Sequence, residues 1–167
     1  YRYRVRATDA AGNTDASPSS FTWTVDAAAP NTSITAQPSD PTNATGASFA
    51  FSSTEGGSSF ECNLDSGGWA ACASPKSYTG LADGSHTFQV RATDAAGNTD
   101  ASPASFTWTV DTAAPNTTID ASPSDPSTTS GASFSFSSSQ GGSTFECNLD
   151  SGGWGACASP KSYTGLA

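Results

Sequence analysis

The chain has 167 residues and a net charge of −9, from 15 acidic and 6 basic residues. This balance argues against nucleic acid and anionic membrane as partners, because phosphate binding needs clustered lysine and arginine. No apolar run approaches the ~20 residues of a membrane-spanning helix, so we expect no membrane insertion.

The first predicted element is residues 1–26, the head segment, whose sequence returns later in the chain. An ungapped repeat with a period of 85 residues relates 1–29 to 86–114 at 23 of 29 positions, and 30–82 to 115–167 at 41 of 53. Such self-similarity is typical of structural or adhesive arrays.

The head segment predicts the last two strands of a β-domain. Its first strand carries large apolar residues at inward positions 1, 3 and 5, and arginines at outward positions 2, 4 and 6. An unpartnered strand of this kind is a liability unless it docks into another sheet. The predicted interaction surface here consists of Tyr1, Arg2, Tyr3, Arg4 and Arg6.

Residues 27–111, the central domain, predict one complete repeat. Segments 86–93 and 106–110 alternate apolar and polar residues with period two, as half-buried strands do. About seven short strands separated by turn residues, without any helical period, predict an all-β immunoglobulin-like or fibronectin-like sandwich. The predicted core consists of Ile34, Phe49, Phe51, Phe60, Leu64, Tyr78, Leu81, Phe88, Val90, Phe106, Trp108 and Val110.

Each repeat carries two cysteines ten residues apart, Cys62 with Cys72 and Cys147 with Cys157. In a small domain with a thin core such pairs predict disulfides, and hence an extracellular, secreted or cell-surface protein. A zinc site is the alternative, but no C-x-x-C or nearby histidine supports it. If Cys62 faces Cys72, then Asp65 pairs with Trp69 around a three-residue loop, 66–68.

Residues 112–167, the tail segment, predict the first five strands of another sandwich. The head segment supplies the last two, so head and tail together complete one domain except for the turn at 83–85. The chain has no methionine, which indicates a mature form, a fragment or a section of something longer.

Segments 90–99 (VRATDAAGNT) and 106–111 (FTWTVD) resemble bacterial Ig-like repeats. The stretch from 60–65 (FECNLD) to Cys72 is similar to the cysteine-bearing variety found in large secreted bacterial proteins. The resemblance spans the whole period in both copies. It implies a role as stalk, adhesin or surface filament.

No group of residues predicts catalysis. His86 is the only histidine, and its counterpart in the other copy is Tyr1. No G-x-S-x-G elbow or repeated serine–histidine pair is present. We therefore expect a protein that is not an enzyme.

Calcium is the one cofactor that the sequence suggests. Acidic and amide residues recur in both copies of a glycine-containing loop and at the following junction, and oxygen ligands on loops suit Ca²⁺. The alternative is a simple turn in which aspartate bonds its own backbone. The candidate ligands are Asp94, Asn98, Asp100 and Asp111, with Asp9, Asn13, Asp15 and Asp26 in the other copy.

Trp69 and Trp154 fall outside the predicted core, beside acidic and amide groups, and complete the predicted interaction surface. Such a residue can cover its own sheet, dock against a neighbouring domain or stack on a sugar.

The sequence thus predicts a segment of an extracellular bacterial filament of Ig-like beads, joined head to tail by strand addition. The partner is the protein itself, as a polymer or a longer covalent array. The alternative is a Ca²⁺-stiffened surface adhesin whose repeats bind a glycan or a protein receptor.

Overall fold

The computed structural model describes residues 1–166, all of whose regular elements are strands. Two compact units are present, the first ending at Thr112 and the second beginning at Ala113. No helix that could span a membrane occurs in residues 1–166.

The central domain contains seven strands, as predicted. They are β3 (Thr32–Ala36), β4 (Ala47–Ser53), β5 (Ser59–Leu64), β6 (Ala70–Cys72), β7 (Lys76–Tyr78), β8 (Gly84–Thr93) and β9 (Ala104–Val110). One sheet has the order β3-β4-β7 and the other β6-β5-β8-β9, with every pair antiparallel. The two sheets enclose one core, which confirms the predicted sandwich.

The core of the central domain is built from the alternating residues that the sequence singled out. Every predicted core residue is buried or packs against the buried cluster, and Phe49, Phe88 and Val90 are fully buried. The rings of Phe49 and Phe88 stack across the two sheets with centroids 4.1 Å apart. The pattern missed small residues, among them Ala47, Ala92 and Ala104, because alanine gives a weak apolar signal.

Both predicted disulfides are present, Cys62–Cys72 and Cys147–Cys157, so the fold has one disulfide per repeat. Among residues 1–166 no cysteine is free.

The predicted register of the cysteine hairpin was wrong by two residues. Cys62 pairs with Ala70 rather than Cys72, so the disulfide runs diagonally between β5 and β6. The turn has two central residues, Asp65 and Ser66, both with positive φ (51° and 62°). It closes with a hydrogen bond from the Gly67 amide to the Leu64 carbonyl, as in a type I′ turn. Aspartate tolerates the left-handed region, and Gly68 follows with a φ of 101°, where glycine is favoured.

The tail segment repeats the first five strands of the central domain. These are β10 (Thr117–Ala121), β11 (Ala132–Ser138), β12 (Phe145–Cys147), β13 (Gly155–Cys157) and β14 (Lys161–Tyr163). They form a β10-β11-β14 sheet and a separate β12-β13 hairpin.

The head segment forms a hairpin of β1 (Arg2–Val5) and β2 (Ser19–Thr22). Tyr3 lies opposite Phe21, and the Tyr1 and Trp23 rings stack with centroids 5.6 Å apart. By the 85-residue offset, β1 and β2 correspond to β8 and β9, the two strands without counterparts in the tail segment.

Candidate functional site

The tail segment contains an open groove where the central domain has strands β8 and β9. The groove has a volume of about 410 Å³. Its lining residues are Thr117, Ile119, Phe134, Phe136, Thr144, Phe145, Glu146, Cys147, Asn148, Leu149, Trp154, Lys161 and Tyr163. At its edge Ile119 is 64% exposed, whereas its counterpart Ile34 packs against the core of the central domain. The groove is therefore an uncovered half-core.

The head segment exposes an apolar row whose counterparts on β8 and β9 are buried. Tyr3 is 61% and Val5 52% exposed, whereas their counterparts Phe88 and Val90 are fully buried. On the second strand, Trp23 is 40% exposed and its counterpart Trp108 is 1% exposed. The same residue types in the same order are thus buried in one copy and solvated in the other.

In the central domain, β8, the counterpart of β1, pairs with β5. In the antiparallel β5–β8 pair, Cys62 lies opposite Val90 and Leu64 opposite Phe88. The offset of 85 residues carries these pairs to Cys147 with Val5 and to Leu149 with Tyr3. Both members of each translated pair are present in the chain, one at the groove and one in the head segment.

On the outer face of this sheet, Arg91 links two residues of the hairpin. Its guanidinium donates to the Glu61 carboxylate (Nε–Oε2 2.9 Å) and lies 4.4 Å from the centre of the Trp69 ring. Trp69 is half-buried by this contact, so it covers its own sheet. The predicted position of Trp69 outside the core fits this arrangement.

The tail segment has the acid and the tryptophan of this group without the arginine. Glu146 is exposed and Trp154 is 72% exposed. The counterpart of Arg91 is Arg6, which lies in the head segment. Trp154 therefore presents an open ring face at the rim of the groove.

The predicted calcium loop is occupied by its own hydrogen bonds. The Asp94 carboxylate accepts from the Asn98 amide (2.8 Å) and from the Asn98 side chain (2.8 Å). The bond from the Asn98 side chain, followed by those from backbone amides, lowers the pKa of Asp94. Partial desolvation raises this pKa but does not outweigh the bonds. Asp9 and Asn13 repeat both contacts, and their side-chain bond likewise lowers the pKa of Asp9. This is the turn chemistry weighed as the alternative to calcium.

Asp100 and Asp15 also serve local structure. The buried Asp100 carboxylate accepts from the Ser102 amide and from the Thr32 amide, each at 2.8 Å. Burial raises the pKa of Asp100, but these hydrogen bonds outweigh it and leave the pKa below its usual value. Asp15 accepts from the Ser17 amide in the same way.

Two of the predicted ligands, Asp26 and Asp94, converge with a third carboxylate, that of Glu55, at the junction between the head segment and the central domain. Oxygens of Asp26, Glu55 and Asp94 all lie within 4.8 Å of one another, and no other such group was found in residues 1–166. Partial desolvation, followed by the charges of Asp26 and Asp94, raises the pKa of Glu55. Asp111 lies outside this group. Glu55 was missed because it sits in a distant turn, with no sequence signal that places it near Asp94.

His86 has a structural position in the central domain. Its ring nitrogens lie 2.7 Å from the Asp65 carboxylate and 2.9 Å from the Ala82 carbonyl. The Ala82 carbonyl, then the Asp65 carboxylate, raise the pKa of His86. The pair fixes the hairpin turn to β8.

A family model agrees with this fold and shows that the chain belongs to the bacterial Ig-like domain family. Residues 28–112 match the family model of the bacterial Ig-like domain. No curated protein matches the chain. A solved structure, described as a "Ca2+-stabilized adhesin" that "helps an Antarctic bacterium reach out and bind ice", is 25% identical with a TM-score of 0.36. The match covers 83% of this chain and 40% of that one, so this chain spans less than half of its length.

Proposed function

Because the chain belongs to the bacterial Ig-like domain family, we propose that it is a segment of an extracellular array of Ig-like beads. In this array the head segment (1–26) completes the sandwich of a neighbouring tail segment (112–167). The neighbour is a separate copy of the chain or a further stretch of a longer polypeptide. The role is structural, as a filament or stalk.

One observation carries this proposal. The rows of residues that meet inside the central domain recur as two exposed halves, on the head hairpin and around the tail groove. Fully burying a Val or Phe side chain contributes about 1.5–3 kcal/mol. Association costs at least about 4 kcal/mol in lost freedom, so several such side chains are needed. Those available on the head hairpin are Tyr1, Tyr3, Val5, Phe21, Trp23 and Val25.

Arg6 adds a contact outside the core. In a completed sandwich it takes the place that Arg91 has in the central domain, against Glu146 and beneath Trp154. The tail segment then regains the whole outer-face group. Strand addition of this kind also forms main-chain hydrogen bonds along the new edge.

Sedimentation of the purified chain over a range of concentrations tests the proposal. We expect concentration-dependent association, and electron micrographs of beaded fibres at high concentration. Val5→Asp places a charge at a position that is fully buried in the central domain, so it should abolish association. Ala16→Asp adds the same charge in the loop between β1 and β2, where the counterpart Ala101 is exposed in the central domain, and should leave association largely intact.

A chain that stays monomeric at all concentrations contradicts the proposal. Equal loss of association in Val5→Asp and Ala16→Asp contradicts it too, because the effect would then follow net charge and not the inward row.

A second candidate function is a calcium-stiffened adhesin repeat. The convergence of Asp26, Glu55 and Asp94 favours it, since these carboxylates join the head segment to the central domain. Three carboxylates without a cation repel one another, and a hard divalent cation relieves that repulsion. We expect CaCl₂ to raise the melting temperature and chelator to lower it, and Glu55→Gln to remove the response. An identical melting temperature with and without calcium contradicts this candidate.

A further inference from the structure

The head strand differs from β8 in a way that points to how it selects its partner. Of the six differences between residues 1–29 and 86–114, four fall at positions 1–4. Both inward changes introduce tyrosine, with Tyr1 in place of His86 and Tyr3 in place of Phe88, so a ring is kept at each position. Both outward changes introduce arginine, with Arg2 in place of Thr87 and Arg4 in place of Gln89. Arg2 and Arg4 therefore lie on the outward face of β1, and Arg6 follows directly after the strand, so three of the four arginines of the chain lie together.

The strand that would pair with this face carries acidic and amide residues. In the central domain the outward pairs are Glu61 with Arg91 and Asn63 with Gln89. The next outward residue, Asp65, accepts a hydrogen bond from the Thr87 amide at 2.7 Å. The 85-residue offset translates these pairs to Glu146 with Arg6, Asn148 with Arg4, and Asp150 with Arg2.

The outward residues of the tail hairpin are free to take this role. Glu146, Asn148 and Asp150 are all exposed, in alternation with half-buried Phe145, Cys147 and Leu149. Asp150 has positive φ (49°), as Asp65 does, so the same turn presents its carboxylate.

Resting on the proposed function, we propose that Arg2 and Arg4 make the head strand recognise an acidic partner strand, that of the tail segment of a second copy of this chain. Arg2 pairs with Asp150 and Arg4 reaches the carboxylates on either side of Asn148. The recognition is electrostatic and acts in addition to burial of the inward row. It gives the head-to-tail joint more salt-dependent contacts than the β5–β8 pair of the central domain, where Arg91 is the one arginine.

The chain itself supplies the matched variant. Arg2→Thr with Arg4→Gln restores the outward residues of β8, which pair successfully in the central domain. The inward row is unchanged, so strand addition still occurs. Exposed ion pairs contribute about 0.2–1 kcal/mol each, so we expect this variant to associate about fivefold more weakly at about 50 mM salt.

Salt titration separates the charge effect from the apolar one. The Debye length falls from about 10 Å at 0.1 M to about 3 Å at 1 M salt. Association of the natural chain should weaken about fivefold over this range, and that of the Arg2→Thr/Arg4→Gln variant should change little.

A gain-of-function variant completes the test. Asn148→Asp gives Arg4 a direct partner, so it should tighten association about threefold at low salt. The gain should vanish when Arg4→Gln is also present. Sedimentation of all four chains at both salt concentrations measures these effects.

The outcomes separate this inference from the proposed function. Association that is equally tight and equally salt-dependent with and without Arg2 and Arg4 overturns the inference and leaves head-to-tail completion intact. An Asn148→Asp gain that persists without Arg4 also overturns it. No association of the natural chain at either salt concentration overturns both.

Discussion

The central domain and the tail segment have nearly the same sequence over their first five strands but differ in the state of their cores. Phe49 is fully buried in the central domain, whereas its counterpart Phe134 is half-buried. The difference arises from β8 and β9. They supply Phe88, Val90 and Trp108 to the core of the central domain, and the tail segment has no corresponding strands. The identity of a residue therefore does not decide whether it is buried. Its burial depends on whether the opposing strands are present to cover it.

The largest contrast between the two regions should appear on removing a β9-type tryptophan. Trp108→Ala empties a fully enclosed site and should cost the central domain about 3–5 kcal/mol of unfolding free energy. Trp23→Ala should leave the unfolding of the central domain unchanged, because Trp23 lies outside it. Denaturant unfolding followed by circular dichroism measures both. Equal destabilisation by the two variants would contradict the comparison.

The two disulfides provide the next contrast. Replacing Cys62 and Cys72 by alanine should lower the free energy of unfolding of the central domain by about 2.5–3 kcal/mol, from loop closure alone. Cys62 is buried whereas Cys147 is only half-buried, so dithiothreitol should reduce the second disulfide first. Mass spectrometry of alkylated peptides over a reduction time course gives the order. Simultaneous reduction would contradict this comparison, because the closed core of the central domain would then protect its disulfide no better than the open groove of the tail segment.

A smaller effect is expected from the outer-face ion pair. Arg91 and Glu61 are about a third exposed, so solvent screens them and Arg91→Gln should cost at most about 1 kcal/mol. Arg6→Gln should leave the unfolding of the central domain unchanged and weaken association instead. The melting temperature and the association constant of each variant distinguish the two roles.

The smallest contrast concerns pH. The raised pKa of His86 means that its contribution to stability is complete below the ordinary value of 6.5 and is lost as pH rises through the raised value. The lowered pKa of Asp65 means that its contribution is present above the ordinary value of 3.8 and is lost as pH falls through the lowered value. His86→Tyr, which introduces the residue found at position 1, should remove the loss at alkaline pH. Melting temperatures between about pH 5 and pH 9 measure it.

Much of the fold could be predicted from the sequence, because alternation in segments such as 106–110 directly reports a half-buried strand. The cysteine hairpin was harder. Two registers separated by two residues keep the same inward face, so alternation cannot choose between them. The choice depends on positive φ at Asp65 and Ser66. The two glycines that follow them made a turn centred one residue later seem the better fit.

The candidate sites were predicted less well than the fold. The 85-residue offset alone identifies the head and tail segments as complementary parts of one repeat. The convergence of Asp26, Glu55 and Asp94 could not, since it depends on how a junction, a turn and a loop approach one another. The position of Arg91 over Trp69 likewise required the register of β5 and β8.

Cross-linking between copies tests head-to-tail completion most directly. Ser59 pairs with Thr93 in the central domain, and the offset translates this pair to Thr144 and Thr8. Residues directly opposite on antiparallel strands have Cα atoms about 4.5–5.5 Å apart, within disulfide range. We therefore predict that a Thr8→Cys chain mixed with a Thr144→Cys chain forms a disulfide-linked dimer under mild oxidation. A Ser59→Cys chain should not cross-link to Thr8→Cys, because Thr93 already occupies that edge. Equal cross-linking to both sites, or to neither, would contradict completion of the tail segment by the head segment.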